Sequence, residues 1–226
     1  MPKILRASFV VAVLLLSRQA DAASITLSGN STFTVDWLNT TTSPSISGSA
    51  DFAVTGWTGT GFDLAITAVR NTMPVTPDIN ARFISFAFGL TPDATFSNLV
   101  DGAVFQWKID DKFPGGFNGQ VDLCGFSGPN CNGGGTGGLG QGESTAPGDI
   151  MSVHVTGNFG SGVTFSPIAA KFQSNQSAQA FDGCVRGAED CPVGVFEDPL
   201  AAPEPASVIL LGSGLAFVLL RRRRKS

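Results

Sequence analysis

Phe62-Asp63-Leu64-Ala65-Ile66-Thr67-Ala68-Val69 alternates between larger apolar side chains and smaller or polar ones at every second position. Successive side chains on an extended backbone point to opposite faces, so this stretch reads as a strand with one face on a core. Outward from it the same two-residue period recurs in Ser24–Ser28, Phe33–Trp37 and Phe52–Trp57. It returns in 82–90, 103–109, 149–159 and 162–172, each bounded by Gly, Asn, Asp or Pro. Strands at these intervals, with no amphipathic helices between them, predict an all-β chain. The expected architecture is a single antiparallel β-sandwich of jelly-roll type. Eighteen Phe and no Tyr supply core volume without hydroxyls that need partners. In 82–90, Ile84, Phe86 and Phe88 are expected on one face and Phe83, Ser85 and Ala87 on the other. Apolar groups on both faces mark a central strand. Trp37, Trp57 and Trp107 are expected in the core, with a sugar-stacking platform as the alternative.

The formal charge of −4 hides a segregation. Lys3, Arg6 and Arg18 lie at the start, and Arg221, Arg222, Arg223, Arg224 and Lys225 at the end. Between 23 and 205 there remain six basic and 17 acidic residues, a net −11. Such a body repels phosphate backbones, so nucleic acid is not an expected partner.

The ends read as addresses. Lys3 and Arg6 precede the apolar run 7–16, and Ala20 and Ala22 frame a cleavage site. A ten-residue run spans about 15 Å as a helix, too short for a bilayer core. Residues 1–22 therefore read as a secretory signal peptide. At the other end, Pro203-Glu204-Pro205 precedes the fifteen uncharged residues 206–220, and a basic tail fills 221–226. The apolar stretch covers about 22 Å as a helix, a marginal single span, and the arginines hold its end on the cytoplasmic side. The sequence thus divides into the signal peptide, a β-sandwich domain over 23–200 and a sorting segment over 201–226.

This triplet, apolar stretch and basic cluster resemble the PEP-CTERM sorting signal of Gram-negative bacteria. The resemblance implies processing by an exosortase near Pro203-Glu204-Pro205 and transient residence in the inner membrane. It further implies an exopolysaccharide-producing organism and delivery to the cell surface or extracellular matrix. Phe172-Gln173-Ser174-Asn175-Gln176 and Phe181-Asp182-Gly183-Cys184 also resemble the cistern subgroup of PEP-CTERM proteins, which brings no catalytic residue with it.

Six residues separate Cys124 from Cys131, and six separate Cys184 from Cys191. An even count in an exported chain argues for two disulfides. The spacing favours Cys124–Cys131 and Cys184–Cys191, with crossed pairings open if the loops touch. Asn132–Gly140 reads as a flexible Gly-rich loop. No Lys-Ser/Thr follows it, so it does not read as a phosphate cradle.

The composition offers little to catalysis. The single histidine, His154, shares the polar side of its strand with Ser152 and Thr156, and no Gly-x-Ser-x-Gly elbow places a nucleophile. Asp110 and Asp111, with Asp122, are the nearest carboxylate cluster for a glycosidase pair or a calcium site. An exposed acidic turn is the simpler reading. No enzyme activity, catalytic residue, cofactor or metal ligand is expected. The sequence points to an exported structural or adhesive protein of exopolysaccharide or biofilm. A carbohydrate-binding module is the alternative, and a secreted polysaccharide hydrolase a more distant one.

Overall fold

The computed structural model describes residues 24–188, apart from 41, 43, 44, 76–79, 118, 133–136 and 175–177. The signal peptide, the sorting segment and Cys191 lie outside the described residues. Within them there is no helix, and the strands run β1 (Ile25–Leu27), β2 (Ser31–Asn39), β3 (Ile46–Thr58), β4 (Gly61–Arg70), β5 (Arg82–Thr91) and β6 (Ala94–Val100). They continue as β7 (Gln106–Ile109), β8 (Leu123–Phe126), β9 (Met151–Gly157), β10 (Val163–Gln173), β11 (Ala178–Asp182) and β12 (Cys184–Val185).

They form two six-stranded antiparallel sheets. The first is ordered β1-β10-β5-β8-β7, with β11 also paired to β10, and the second β12-β2-β3-β4-β9-β6. Side chains from both sheets enter one buried cluster, which makes the body a sandwich. The order departs from a jelly roll, because β2, β3 and β4 run as consecutive hairpins within one sheet. A two-residue turn, Gly59-Thr60, joins β3 to β4, and the Thr58 hydroxyl donates to the Gly61 carbonyl at 3.1 Å. A connection this short leaves no chain to cross between sheets.

The core is a lattice of rings. Phe33 and Phe52 stack in parallel at 4.9 Å, and Phe52 meets Phe86 and Phe88 edge-on from across the sandwich. Trp37, fully buried on β2, donates its indole N–H to the Ile168 carbonyl on β10 at 3.0 Å, which bonds one sheet to the other. Phe83 corrects the simple alternation expected for its strand. It lies on the same face as Phe86 and Phe88, in contact with Trp37 and Phe86 and stacked on Phe172. The cause is a bulge: Ser85 faces Lys171 and Phe83 faces Phe172, so Ile84 has no partner on β10. One extra residue reverses the alternation beyond it.

β5 is nonetheless central and buried on both faces, from Phe83 to Leu90. The stretches flanking β8, 110–122 and 127–132, cover the outer side of β5. Phe113, Phe117, Val121 and Phe126 pack there with Ala87, Ala169 and Ala180 in a second cluster. A Cys124–Cys131 disulfide closes this cover. The Ser85 hydroxyl donates to the Cys131 carbonyl at 3.0 Å and the Lys171 ammonium to the Asn132 carbonyl at 2.6 Å. Lys171 is buried, and desolvation lowers its pKa.

Part of the stretch expected to be a flexible loop is held in place. The Arg82 guanidinium donates to the Gly137 and Gly138 carbonyls at 2.7 and 2.8 Å, and Leu139 exchanges backbone hydrogen bonds with Phe83. Gly138 is required: its φ is +82° and a Cβ there would collide with the Phe83 carbonyl.

Replacing Cys124 and Cys131 together by Ser removes an eight-residue ring. Urea unfolding should then show a loss of about 2.5 kcal/mol, the chain-entropy value for that ring size. Phe83→Ala should cost about 3–5 kcal/mol by the same measurement, because the bulge sends this ring into the core.

Candidate functional site

On the outer face of the second sheet, polar side chains of β2, β3, β4 and the residue after β12 line a groove of about 740 Å³. The pleat explains the selection. Phe33, Val35 and Trp37 of β2 point inward, leaving Thr32, Thr34 and Asp36 outside. Asp51 stands opposite Thr34 in register, and Ser49 opposite both Asp36 and Arg70.

Four charges meet there. The Arg70 guanidinium donates to Asp51 Oδ2 at 2.6 Å and the Thr34 hydroxyl to Asp51 Oδ1 at 2.8 Å. Arg186 forks onto Asp36, with Nε to Oδ2 at 2.7 Å and Nη2 to Oδ1 at 2.6 Å. The Arg70 hydrogen bond, opposed by burial and aided by Thr34, holds the Asp51 carboxyl below its ordinary pKa. Hydrogen bonding and attraction from Asp36 raise that of Arg186. The quartet is neutral overall, with its donors and acceptors fixed by paired strands.

His154 and Asp63 face each other on β9 and β4, with Nδ1 and Oδ1 at 2.7 Å. Ser97 of β6 stands opposite His154 on the other side, so the three residue types of a hydrolytic triad lie in one row. The ring is turned the wrong way for that chemistry. Its Nε2 lies over Gly61 on β4, where an added Cβ would approach to 3.5 Å, and so points away from Ser97. The pair is a solvated cross-strand contact, exposed at 39% and 61%.

Of the acidic residues after β7, Asp110 and Asp122 stay within electrostatic reach of each other, while Asp111 is held elsewhere. Asp110 has φ 51°, a left-handed turn conformation, and its N–H donates to the Asp122 carbonyl at 3.0 Å. Asp111 turns to the disulfide loop, accepting from the Cys131 N–H at 3.1 Å, with the Lys108 ammonium at 3.3 Å. Burial pushes the Asp111 pKa up, but the N–H groups of Cys131 and Lys112 and the Lys108 ammonium bring it below its ordinary value. Asp122 accepts the Leu90 N–H at 2.6 Å, yet burial and the carboxylates of Asp110 and Asp93 raise its pKa. Among the described residues no group of three or more His, Cys, Asp or Glu is gathered to hold a metal.

The tryptophans do not make a platform. Trp37 and Trp107 are buried in the core, and Trp57, partly buried, is stacked on Phe62 at 5.4 Å. The disulfide formed is the local Cys124–Cys131 pairing, and Cys184 is also disulfide-bonded. The groove escaped the sequence reading because Asp36 and Arg186 are 150 residues apart. Its one local signal was the run of Thr and Asp on the outward positions of β2.

The chain is therefore an all-β domain with a short segment of a different kind behind it. Residues 201–224 match the family model for the PEP-CTERM protein-sorting motif. That motif implies export to the cell envelope or surface, with an exosortase as processing partner. The match stops short of the stretches on which the cistern resemblance rests. No curated protein and no solved structure matches the chain.

A carboxyl whose pKa is lowered on folding adds stability above its unfolded pKa and loses it as pH falls through the folded one. Arg70→Met should therefore destabilise at pH 7, by no more than about 1 kcal/mol for a pair this exposed. The gap to wild type should close below about pH 4 as Asp51 protonates. Urea titrations from pH 7 to 3 measure it; a gap undiminished at the lowest pH would remove the ion pair as its cause.

Proposed function

We propose that the protein is a non-enzymatic β-sandwich, exported, cut by an exosortase and released to the cell surface or extracellular matrix. There it serves a structural or adhesive purpose within exopolysaccharide. The observation that carries this reading is the match over 201–224, in which Pro203-Glu204-Pro205, an uncharged stretch and a basic cluster follow in order. The body supports it in three ways. Its core is closed by rings that need no cofactor, its disulfides suit an oxidising compartment, and its one histidine turns toward β4 and not toward Ser97. The last described strand, β12, lies at a sheet edge. Fourteen residues, 189–202, separate Ala188 from Pro203. They reach up to about 50 Å when extended, so an enzyme in the membrane can take the motif without unfolding the body.

Intact-mass measurement of the protein from its host, alkylated with and without reduction, should show both ends removed and two disulfides. Deleting 203–226 should abolish the C-terminal cut and change the fraction in which the protein is found. Recovery of the full basic tail from the wild type, or unchanged localisation after the deletion, would overturn the reading.

A further inference from the structure

The outer groove of the second sheet is the built polar surface that the sorting signal does not account for. We infer that it grips a stretch of neutral, hydroxyl-rich polysaccharide, a proposal that rests on the surface reading above and gives it a ligand.

Charge selects the class. Asp51, Arg70 and Arg186 line the groove and Asp36 beside it is paired with Arg186, so the four charges cancel, each already paired at 2.6–2.8 Å. A charged ligand gains no net attraction from a surface whose charges already cancel in pairs. A polyanion would also approach a body carrying −11 between residues 23 and 205, and like charge at that level suppresses encounter. A sugar hydroxyl both donates and accepts, so it adds to the lone pairs left on each carboxylate and the N–H groups left on each guanidinium without breaking either pair.

Shape and lining agree. A volume of about 740 Å³ lies within the range of small-ligand sites. The floor is pleated sheet, and Thr32, Thr34 and Thr67 set hydroxyls along it. The rings of Phe33 and Phe52 beneath belong to the buried core, so no exposed aromatic face is offered for stacking. Binding of a single sugar unit is then weak, and a polymer helps by filling more of the groove and by offering it many equivalent positions.

Affinity electrophoresis of the exported protein, in gels holding dextran, galactomannan or alginate, tests this. Retardation is expected with at least one neutral polymer, changing less than about twofold between 50 and 500 mM salt because no net charge is neutralised. It should be absent with alginate. Thr32→Val with Thr67→Val removes two hydroxyls at exposed strand positions and should weaken retention about tenfold without shifting the melting temperature. Asp51→Asn with Arg70→Gln should weaken retention to a similar extent, with no more loss of stability than the exposed ion pair accounts for, whereas Asp63→Asn, outside the groove, should leave retention unchanged. No retardation by either neutral polymer, tighter retention by alginate, or retention indifferent to the groove variants would overturn the inference. Fractionation of the host separates this failure from that of the surface reading. If that reading holds, wild type is found with the matrix and the groove variants, still processed, in the medium. Wild type absent from the matrix sinks the surface reading, and the gels then judge the groove alone.

Discussion

The constraint on which the rest depends is that β5 and β10 bury side chains on both faces. A sheet with one apolar face needs one partner, and the second sheet provides it through Phe33, Trp37, Phe52 and Phe62. A sheet with two apolar faces needs a second cover, and there is no third sheet or helix among the described residues to serve. The stretches flanking β8 take that place with few backbone ladders of their own. Their fixing falls instead to a disulfide, to Phe113 and Phe117, and to hydrogen bonds from Ser85 and Lys171. Lys171 shows how strongly the site is specified: a buried ammonium is tolerated because a loop carbonyl comes to meet it at 2.6 Å.

The inner core meets the opposite requirement. Rings pack across the sandwich with almost no polar atoms among them, which removes most demands for buried hydrogen bonds. Trp37 is the exception that links the sheets through the Ile168 carbonyl. Trp107, at the edge strand β7, keeps a buried indole N–H with no partner among the described residues, while its ring lies edge-on to Phe86 and Phe88. Packing outweighs the unmade hydrogen bond there, which is consistent with a core built on ring contacts.

What was legible in the sequence follows the length and regularity of each strand. β2, β3, β4, β5, β9 and β10 are seven residues or longer, so each contains an alternating run that revealed a strand, and in all but β5 that run also marked the inward face. β7 is four residues, shorter than the seven-residue run that suggested it. β6, β8, β11 and β12 were not anticipated. In β6 the alternation is broken by Asn98, at φ 50°, beside a register shift between Ser97 and Val100. β8 is four residues with every side chain buried, so no polar position marks a solvent face. Phe83 was assigned to the wrong side because a bulge is set by the pairing of β5 with β10, about 90 residues away, and not by the local pattern. The groove was hidden for a related reason: its arginines and aspartates come together only when β12 closes onto β2.

That closure brings the two halves of the chain's design together. The last described residues lie on the sheet that carries the groove, and Arg186 belongs both to its ion-pair quartet and to the stretch leading toward the sorting segment. The face proposed to hold polysaccharide and the last described residues therefore share one sheet. Cleavage beyond β12 would take away the membrane-facing positive charge and leave the acidic body intact. The body that remains is net acidic, with no basic cluster to hold it to phosphate-bearing surfaces, so the matrix retention proposed above would draw on uncharged contacts. A groove whose charges cancel is the kind of surface suited to provide them.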